Sequence, residues 1–251
     1  MRAIRAALEP GHRIVAEGEL FDALVVNGEG TMHDGSGGFH QKMQAIAAAQ
    51  AAGRKTFLVN TLWHDNPCDY DDALRALDGI VVRDELSRRE LAAKHRVDAE
   101  VRLDFSYFAP HRAEPPPPGP RKGIRATDFY SREFGCFVRV RGGRCARFEF
   151  LDMKTLSWDE LITELGRTAI LVTGRHHAVY AACVARTPFV ALSGNAPKIE
   201  GLIATSPVEI PVAQSFAEID GLIEWARGHR DIYRELFDWM AAQPRWEGIP
   251  V

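Results

Sequence analysis

The chain of 251 residues lacks most of the features that would place a protein in a special class at once. Apolar stretches such as Ala169-Ile170-Leu171-Val172 fall far short of the ~20 residues needed to span a bilayer, so no transmembrane segment is expected. The opening Met1-Arg2-Ala3-Ile4-Arg5 leads to Glu9, Pro10 and Gly11 without the apolar centre of a secretory signal. A cytoplasmic location is the expectation. Basic residues are not in excess, with 31 Lys and Arg against 34 Asp and Glu, which argues against nucleic acid as a partner. The four cysteines, Cys68, Cys136, Cys145 and Cys183, include no closely spaced pair. Neither structural zinc nor a disulfide framework is indicated, and the cysteines read as buried thiols. A hydrophobic share of 46% against 26% charged residues is the balance of a folded protein, and the length allows one large domain or two small ones.

Strand and helix patterns alternate through the first half. After a short helix over 2–8, apolar runs predict strands at Asp22–Asn27, Thr56–Asn60, Gly79–Arg83 and Val101–Asp104. Between them, residues 39–52, 70–77 and 87–95 read as helices. Such alternation indicates βαβ units and parallel sheet. Glu114-Pro115-Pro116-Pro117-Pro118-Gly119-Pro120 is the clearest break, and four consecutive prolines make a stiff spacer. The expected organisation is therefore a domain over 1–113, a linker over 114–120 and a second domain over 121–251. In the second, Cys136–Arg141 and Arg144–Phe150 flank Gly142-Gly143 and read as a hairpin. Strands at Ala169–Thr173 and Phe189–Leu192 each lead into a helix, and residues 216–242 supply amphipathic helices carrying Trp225, Tyr233, Phe237 and Trp239.

In open α/β sheets ligands collect where strands end and helices begin, because helix N-termini offer unpaired N–H groups and a positive dipole. Three turns fit. Gly174-Arg175-His176-His177 places a permanent cation and two imidazoles at one of them; arginine can grip phosphate or carboxylate with two bonds, and histidine can shuttle a proton. Ser193-Gly194-Asn195-Ala196-Pro197-Lys198, with Glu200 close behind, offers small residues for close backbone approach and a second cation. Adjacent parallel strands would bring these two turns together. The third turn runs from Asn27 through Gly28, Glu29, Gly30, Thr31 and His33 to Asp34. It lacks the lysine of a phosphate-binding P-loop and the third glycine of a dinucleotide fingerprint. Glu29, His33 and Asp34 can instead supply general bases to a hydroxyl-rich acceptor. No metal-ligand spacing accompanies His33 and Asp34, so no metal is expected.

Several of these segments resemble the polysaccharide pyruvyl transferase family. They are Asp22–Thr31, the Val82-Arg83-Asp84-Glu85-Leu86-Ser87 stretch, Gly174-Arg175-His176-His177-Ala178, Thr187-Pro188-Phe189 and Lys198-Ile199-Glu200-Gly201-Leu202. The family shows a glycine-rich turn after an early strand, an Arg-Asp-x-x-Ser segment, an Arg-Leu-His turn and, about twenty residues later, a lysine followed closely by glycine. Here His176 stands in place of the usual leucine. The Gly-Asn-x-Gly-Asp loop that usually opens the family's fold is not found before Asp22.

The resemblance implies an α/β fold of two Rossmann-like parallel-sheet domains with a cleft between them, like that of GT-B glycosyltransferases, with the N-terminal half pared down. It implies transfer of pyruvate from phosphoenolpyruvate onto two sugar hydroxyls to form a ketal. The donor would be bound by Arg175, His176, Ser193, Gly194, Asn195, Lys198 and Glu200. His177 would be the acid, with Glu29 or Asp34 as base. Asn27, Gly28, Gly30, Thr31, His33 and Arg83 would lie on the acceptor side. No cofactor is implied beyond the phosphoenolpyruvate donor. The expected partner is a sugar or polysaccharide acceptor, with peripheral association with a polysaccharide assembly system. Two other readings stay open: a glycosyltransferase using a CMP- or UDP-sugar, and a non-catalytic saccharide-binding or assembly protein.

Overall fold

The computed structural model describes residues 5, 8–9, 11–16, 18–113, 120–130, 137–138 and 147–246. The chain divides into two compact units, residues 1–108 with 244–251, and residues 109–243. The predicted linker apart from Pro120, and most of the predicted 2–8 helix, lie outside the described residues.

In the first unit, β1 (Ala23–Glu29), β2 (Lys55–Thr61), β3 (Gly79–Val82) and β4 (Glu100–Val101) form a parallel sheet in sequential order. Between them run α1 (Gly37–Ala51), α2 (Asp71–Arg75) and α3 (Glu85–Glu90), the last continued by a π-helical turn over Leu91–His95. Parallel crossovers are nearly always right-handed, so a sheet built in chain order puts all its crossover helices on one face. The core divides accordingly. Phe39, Met43, Ile46, Leu74 and Leu91 from the helical segments pack with Val26, Leu58, Ile80 and Val82 of the strands. The alternate strand residues Phe57, Val59 and Val81 pack with Phe105 and Trp246. Trp246 stacks on Phe105 at 4.0 Å and donates its indole N–H to the Leu103 carbonyl at 2.9 Å.

The α1 start shows why the helix begins where it does. Ser36 accepts a hydrogen bond from the Phe39 N–H at 3.2 Å, satisfying one of the orphan donors of a first turn. Phe39, Met43, Ile46 and Ala49 then recur on one buried stripe.

The second unit holds a five-stranded parallel sheet in the order β11-β10-β9-β5-β8, where β5 is Lys122–Ala126, β8 Glu149–Phe150, β9 Thr168–Thr173, β10 Phe189–Leu192 and β11 Val212–Ala213. A short antiparallel pair, β6 (Phe129–Tyr130) and β7 (Phe137–Val138), stands beside it in sequence. The helices are α4 (Trp158–Arg167), α5 (His176–Val184), α6 (Lys198–Thr205), α7 (Ile219–Gly228) and α8 (Arg230–Ala241). Ser157 and Glu160 close the start of α4 with a reciprocal capping box.

The predicted hairpin is corrected. Phe137–Val138 pairs with Phe129–Tyr130, and Glu149–Phe150 pairs in parallel with β5; residues 139–146 lie outside the described residues. Arg125 explains how a charged strand such as β5 is held in the sheet, since its guanidinium meets Glu149 at 2.9 Å and also bonds Glu164. Among the aromatic residues of the last helices, Tyr233 and Phe237 are buried, as an amphipathic packing face requires. Among the described residues no helix is long and apolar enough to cross a membrane.

Candidate functional site

The order of the second sheet defines where a ligand site belongs. From β5 the chain goes outward to β8, then returns to the other side of β5 for β9, β10 and β11. The reversal falls between β5 and β9, and such a switch point opens a crevice at the strand carboxyl ends. Two residues meet there. Asp128, just past β5, accepts from Arg175 Nε at 3.0 Å and from Nη2 at 2.9 Å. The Asp128 side chain is 4% exposed and that of Arg175 30%. The fork is thus anchored on a buried carboxylate while part of the guanidinium faces outward. Behind it, Thr173 Oγ1 accepts the Arg175 backbone N–H at 2.9 Å and meets Thr127 Oγ1 at 2.5 Å.

Arg175 is also the N-cap of α5, whose first turn has no side-chain cap and no acidic residue. The helix dipole there is uncompensated by its own sequence. His176 and His177 follow as the first two helical residues. They differ sharply, His176 being buried and His177 exposed. His176 donates from Nδ1 to the Lys198 carbonyl at 3.1 Å and packs against Tyr180 at 4.5 Å between ring centroids. Its ring therefore ties the start of α5 to the start of α6.

The strands β9 and β10 are parallel neighbours, so the second turn adjoins the first. Ser193 is buried and its N–H bonds the Ala213 carbonyl at 2.9 Å, which extends the sheet by one residue. Gly194 and Asn195 are half-buried. Lys198 Nζ donates to Asn195 Oδ1 at 3.3 Å. Glu200 occupies the first turn of α6, so this helix start carries one cation and one carboxylate.

In the first unit the predicted acceptor-side residues fall into two groups at the carboxyl end of the sheet. Asn27 donates to Glu29 Oε1 at 2.6 Å and accepts from Asn60 at 3.3 Å. His33 and Asp34 pair separately, Nδ1 to Oδ2, at 2.8 Å. Glu29, Asp34 and Asn60 all adopt positive φ, at 48°, 53° and 52°. Such conformations are uncommon for residues other than glycine and gather at functional sites. Thr31 donates its hydroxyl to the Gly28 carbonyl at 3.1 Å. Gly28 itself is dictated by packing: a Cβ there would lie 2.2 Å from Thr61 Oγ1. Gly30 follows at the end of β1. Arg83 is buried, donating to Asp104 Oδ2 at 3.1 Å, while its Nε and Nη2 have no partner among the described residues.

Sequence reasoning missed Asp128, Asn60 and Lys42. The Lys42 ammonium donates to the Gly28 carbonyl at 2.7 Å and to Thr31 Oγ1 at 2.5 Å. Burial lowers its pKa, and Glu29 opposes that shift. Residues 39–52 were legible only as a helix, and a lone lysine within it carries no motif. Cys68 also departs from expectation. It is exposed, whereas Cys183 is buried, because Cys68 lies in the loop before α2 rather than on a packed element. Cys136 and Cys145 lie outside the described residues.

The two parallel sheets are those of the GT-B glycosyltransferase fold. A UDP-glucosyltransferase from Polygonum tinctorium superposes with a TM-score of 0.50 at 13% identity, over 90% of this chain and 72% of its own. UGT2 of Phytolacca americana, complexed with UDP-2fluoro-glucose and pterostilbene, gives 0.50 at 12%, over 98% and 77%. At such identities the likeness shows the fold alone. A search of curated proteins found no match. The model of the polysaccharide pyruvyl transferase family matches residues 3–195, and the chain belongs to that family. The matched span includes the Arg175 turn and ends before Lys198 and Glu200.

Proposed function

We propose that the protein transfers pyruvate from phosphoenolpyruvate to two hydroxyls of a saccharide. The observation that carries this reading is the Arg175–Asp128 pair at the switch point, with exposed His177 beside it on an uncapped helix start. The donor is an anion at both ends, carboxylate and phosphate, and this turn offers it a forked cation and the positive end of a helix dipole. Lys198 adds charge from the neighbouring turn. Asp128 competes with the donor for the fork but also fixes its plane, which is the pre-organisation that electrostatic catalysis requires.

The reaction balances as follows. His177, protonated, gives its proton to the terminal methylene carbon of phosphoenolpyruvate, and the adjacent carbon becomes an oxocarbenium-like centre. A sugar hydroxyl adds to that carbon and loses its proton to a general base. The carbon–oxygen bond to phosphate breaks and phosphate leaves carrying the proton taken by the base, and a second hydroxyl closes the ketal as its proton returns to His177. The acceptor would be a sugar or polysaccharide, and the work would be done in the cytoplasm.

Phosphate release from phosphoenolpyruvate in the presence of a panel of saccharide acceptors tests the reading. His177→Ala is expected to lower turnover about 100-fold, the range of general acid catalysis; near-normal turnover rules His177 out as the acid. A thermal-shift comparison with phosphoenolpyruvate, CMP and UDP separates the donors. Stabilisation by a nucleotide alone would favour glycosyl transfer, with Glu200 in the first turn of α6 placed to take ribose hydroxyls.

A further inference from the structure

In the first unit three metal-ligating side chains, none of them assigned to transfer, converge. Cys68 Sγ, a carboxylate oxygen of Asp71 and a ring nitrogen of His95 all lie within 4.8 Å of one another. The placement follows from two local structures. The Asp71 N–H bonds the Cys68 carbonyl at 3.1 Å, so the turn entering α2 sets both side chains on one side. His95 ends the π-helical turn that prolongs α3, and Arg96 after it adopts φ 58°. Turns of this kind are frequent at functional sites. Here the turn carries His95 into the interior, where its ring meets Trp63 edge-to-face at 5.2 Å.

The hydrogen bonding of this group is incomplete. His95 Nδ1 lies 2.6 Å from Asp71 Oδ1, and Asp71 Oδ2 takes Arg75 at 2.9 Å. His95 Nε2, on a side chain with no exposure at all, has no hydrogen-bond partner among the described residues. A buried imidazole nitrogen left without a partner calls for an explanation. Cys68 brings a thiol at the exposed side.

We propose that Cys68, Asp71 and His95 bind a divalent ion of the zinc class. Sulfur, nitrogen and oxygen donors together suit zinc or cobalt and not magnesium or calcium, which prefer oxygen alone. Binding deprotonates the Cys68 thiol, and that proton passes to buffer. Three protein ligands leave the fourth tetrahedral position to water on the Cys68 side. The ion joins the loop before α2 to the end of the π turn. The sequence did not signal the site, because Cys68 has no second cysteine near it and His95 lies 24 residues beyond Asp71.

The test uses the full chain after chelator treatment, titrated with Co²⁺ alone. The expected result is one equivalent bound with a thiolate-to-cobalt charge-transfer band, bleached by Zn²⁺. Cys68→Ser, at an exposed position, should abolish the band with the circular dichroism unchanged. Asp71→Asn should weaken Co²⁺ binding about tenfold or more. A folded wild-type chain that develops no such band overturns the proposal, as does a band that persists in Cys68→Ser.

Discussion

Arg175 and Asp128 are joined at two points across the reversal of the second sheet, Nε to Oδ1 and Nη2 to Oδ2. Lysine cannot reproduce a planar fork, and asparagine cannot supply the charge. Arg175→Lys and Asp128→Asn are both expected to lower phosphate release from phosphoenolpyruvate about 100-fold, the scale of a misplaced binding group. Arg175→Ala should also destabilise the fold by about 1–3 kcal/mol, because it strands a buried carboxylate. Steady-state kinetics and urea unfolding measure the two effects. Wild-type turnover in Asp128→Asn would dissociate the pair from catalysis.

Gly28 of β1 lies hard against Thr61 of β2. An added Cβ would stand 2.2 Å from Thr61 Oγ1, 2.3 Å from Thr61 Cβ and 2.9 Å from its Cα. Gly28→Ala should cost about 3 kcal/mol or more by overpacking. Thr61→Ala should not rescue it, since the Cβ contact remains, whereas Thr61→Gly should recover part of the loss. Chemical denaturation of the single and double variants checks the order; rescue by Thr61→Ala would contradict it.

Asp84 and Glu85 are adjacent carboxylates shifted in opposite directions. Burial raises the Asp84 pKa, against the pull of Arg83 and the Ser87 N–H. Its protonated form is favoured by folding, so its contribution is present at low pH and lost as pH rises through the raised value. Hydrogen bonding to Arg88, supported by Arg89, lowers Glu85 to about 2. Its contribution is present above the ordinary carboxylate range and lost as pH falls from there toward about 2. Asp84→Asn should therefore leave stability at neutral pH equal or higher, with the Ser87 cap retained. Asp84→Ala should lose about 1 kcal/mol with the cap. Glu85→Gln should flatten the acid limb of the stability curve, an effect muted by salt. Unfolding midpoints at pH 3 and pH 7 distinguish these outcomes, and a decline in stability for Asp84→Asn would refute the assignment.

The parts of the fold that were legible are those built from uninterrupted apolar runs. Leu24 to Val26, Phe57 to Val59, Ile80 to Val82, Ile170 to Val172 and Phe189 to Leu192 are strands in both readings. The strand Lys122-Gly123-Ile124-Arg125-Ala126 escaped notice because Arg125 interrupts any apolar run, and the carboxylates that pair with it, Glu149 and Glu164, are remote in sequence. Without that strand there was no switch point, and without the switch point nothing distinguished Asp128 from any surface aspartate. The sequence did place the Arg175 and Lys198 turns side by side, since both follow strands that pair in parallel. It could not show that His176 turns inward while His177 stays out. That depends on which face of α5 meets Tyr180 and the Lys198 carbonyl. Cysteine burial was a composition default, and the loop position of Cys68 overrode it.

The inward turn of His176 has a mechanical consequence. An imidazole standing where a leucine is usual replaces a yielding apolar contact with a directional one, fastened to the opening carbonyl of the next helix. The two helix starts are thereby tied to each other, and a group that docks on one of them meets the other held beside it.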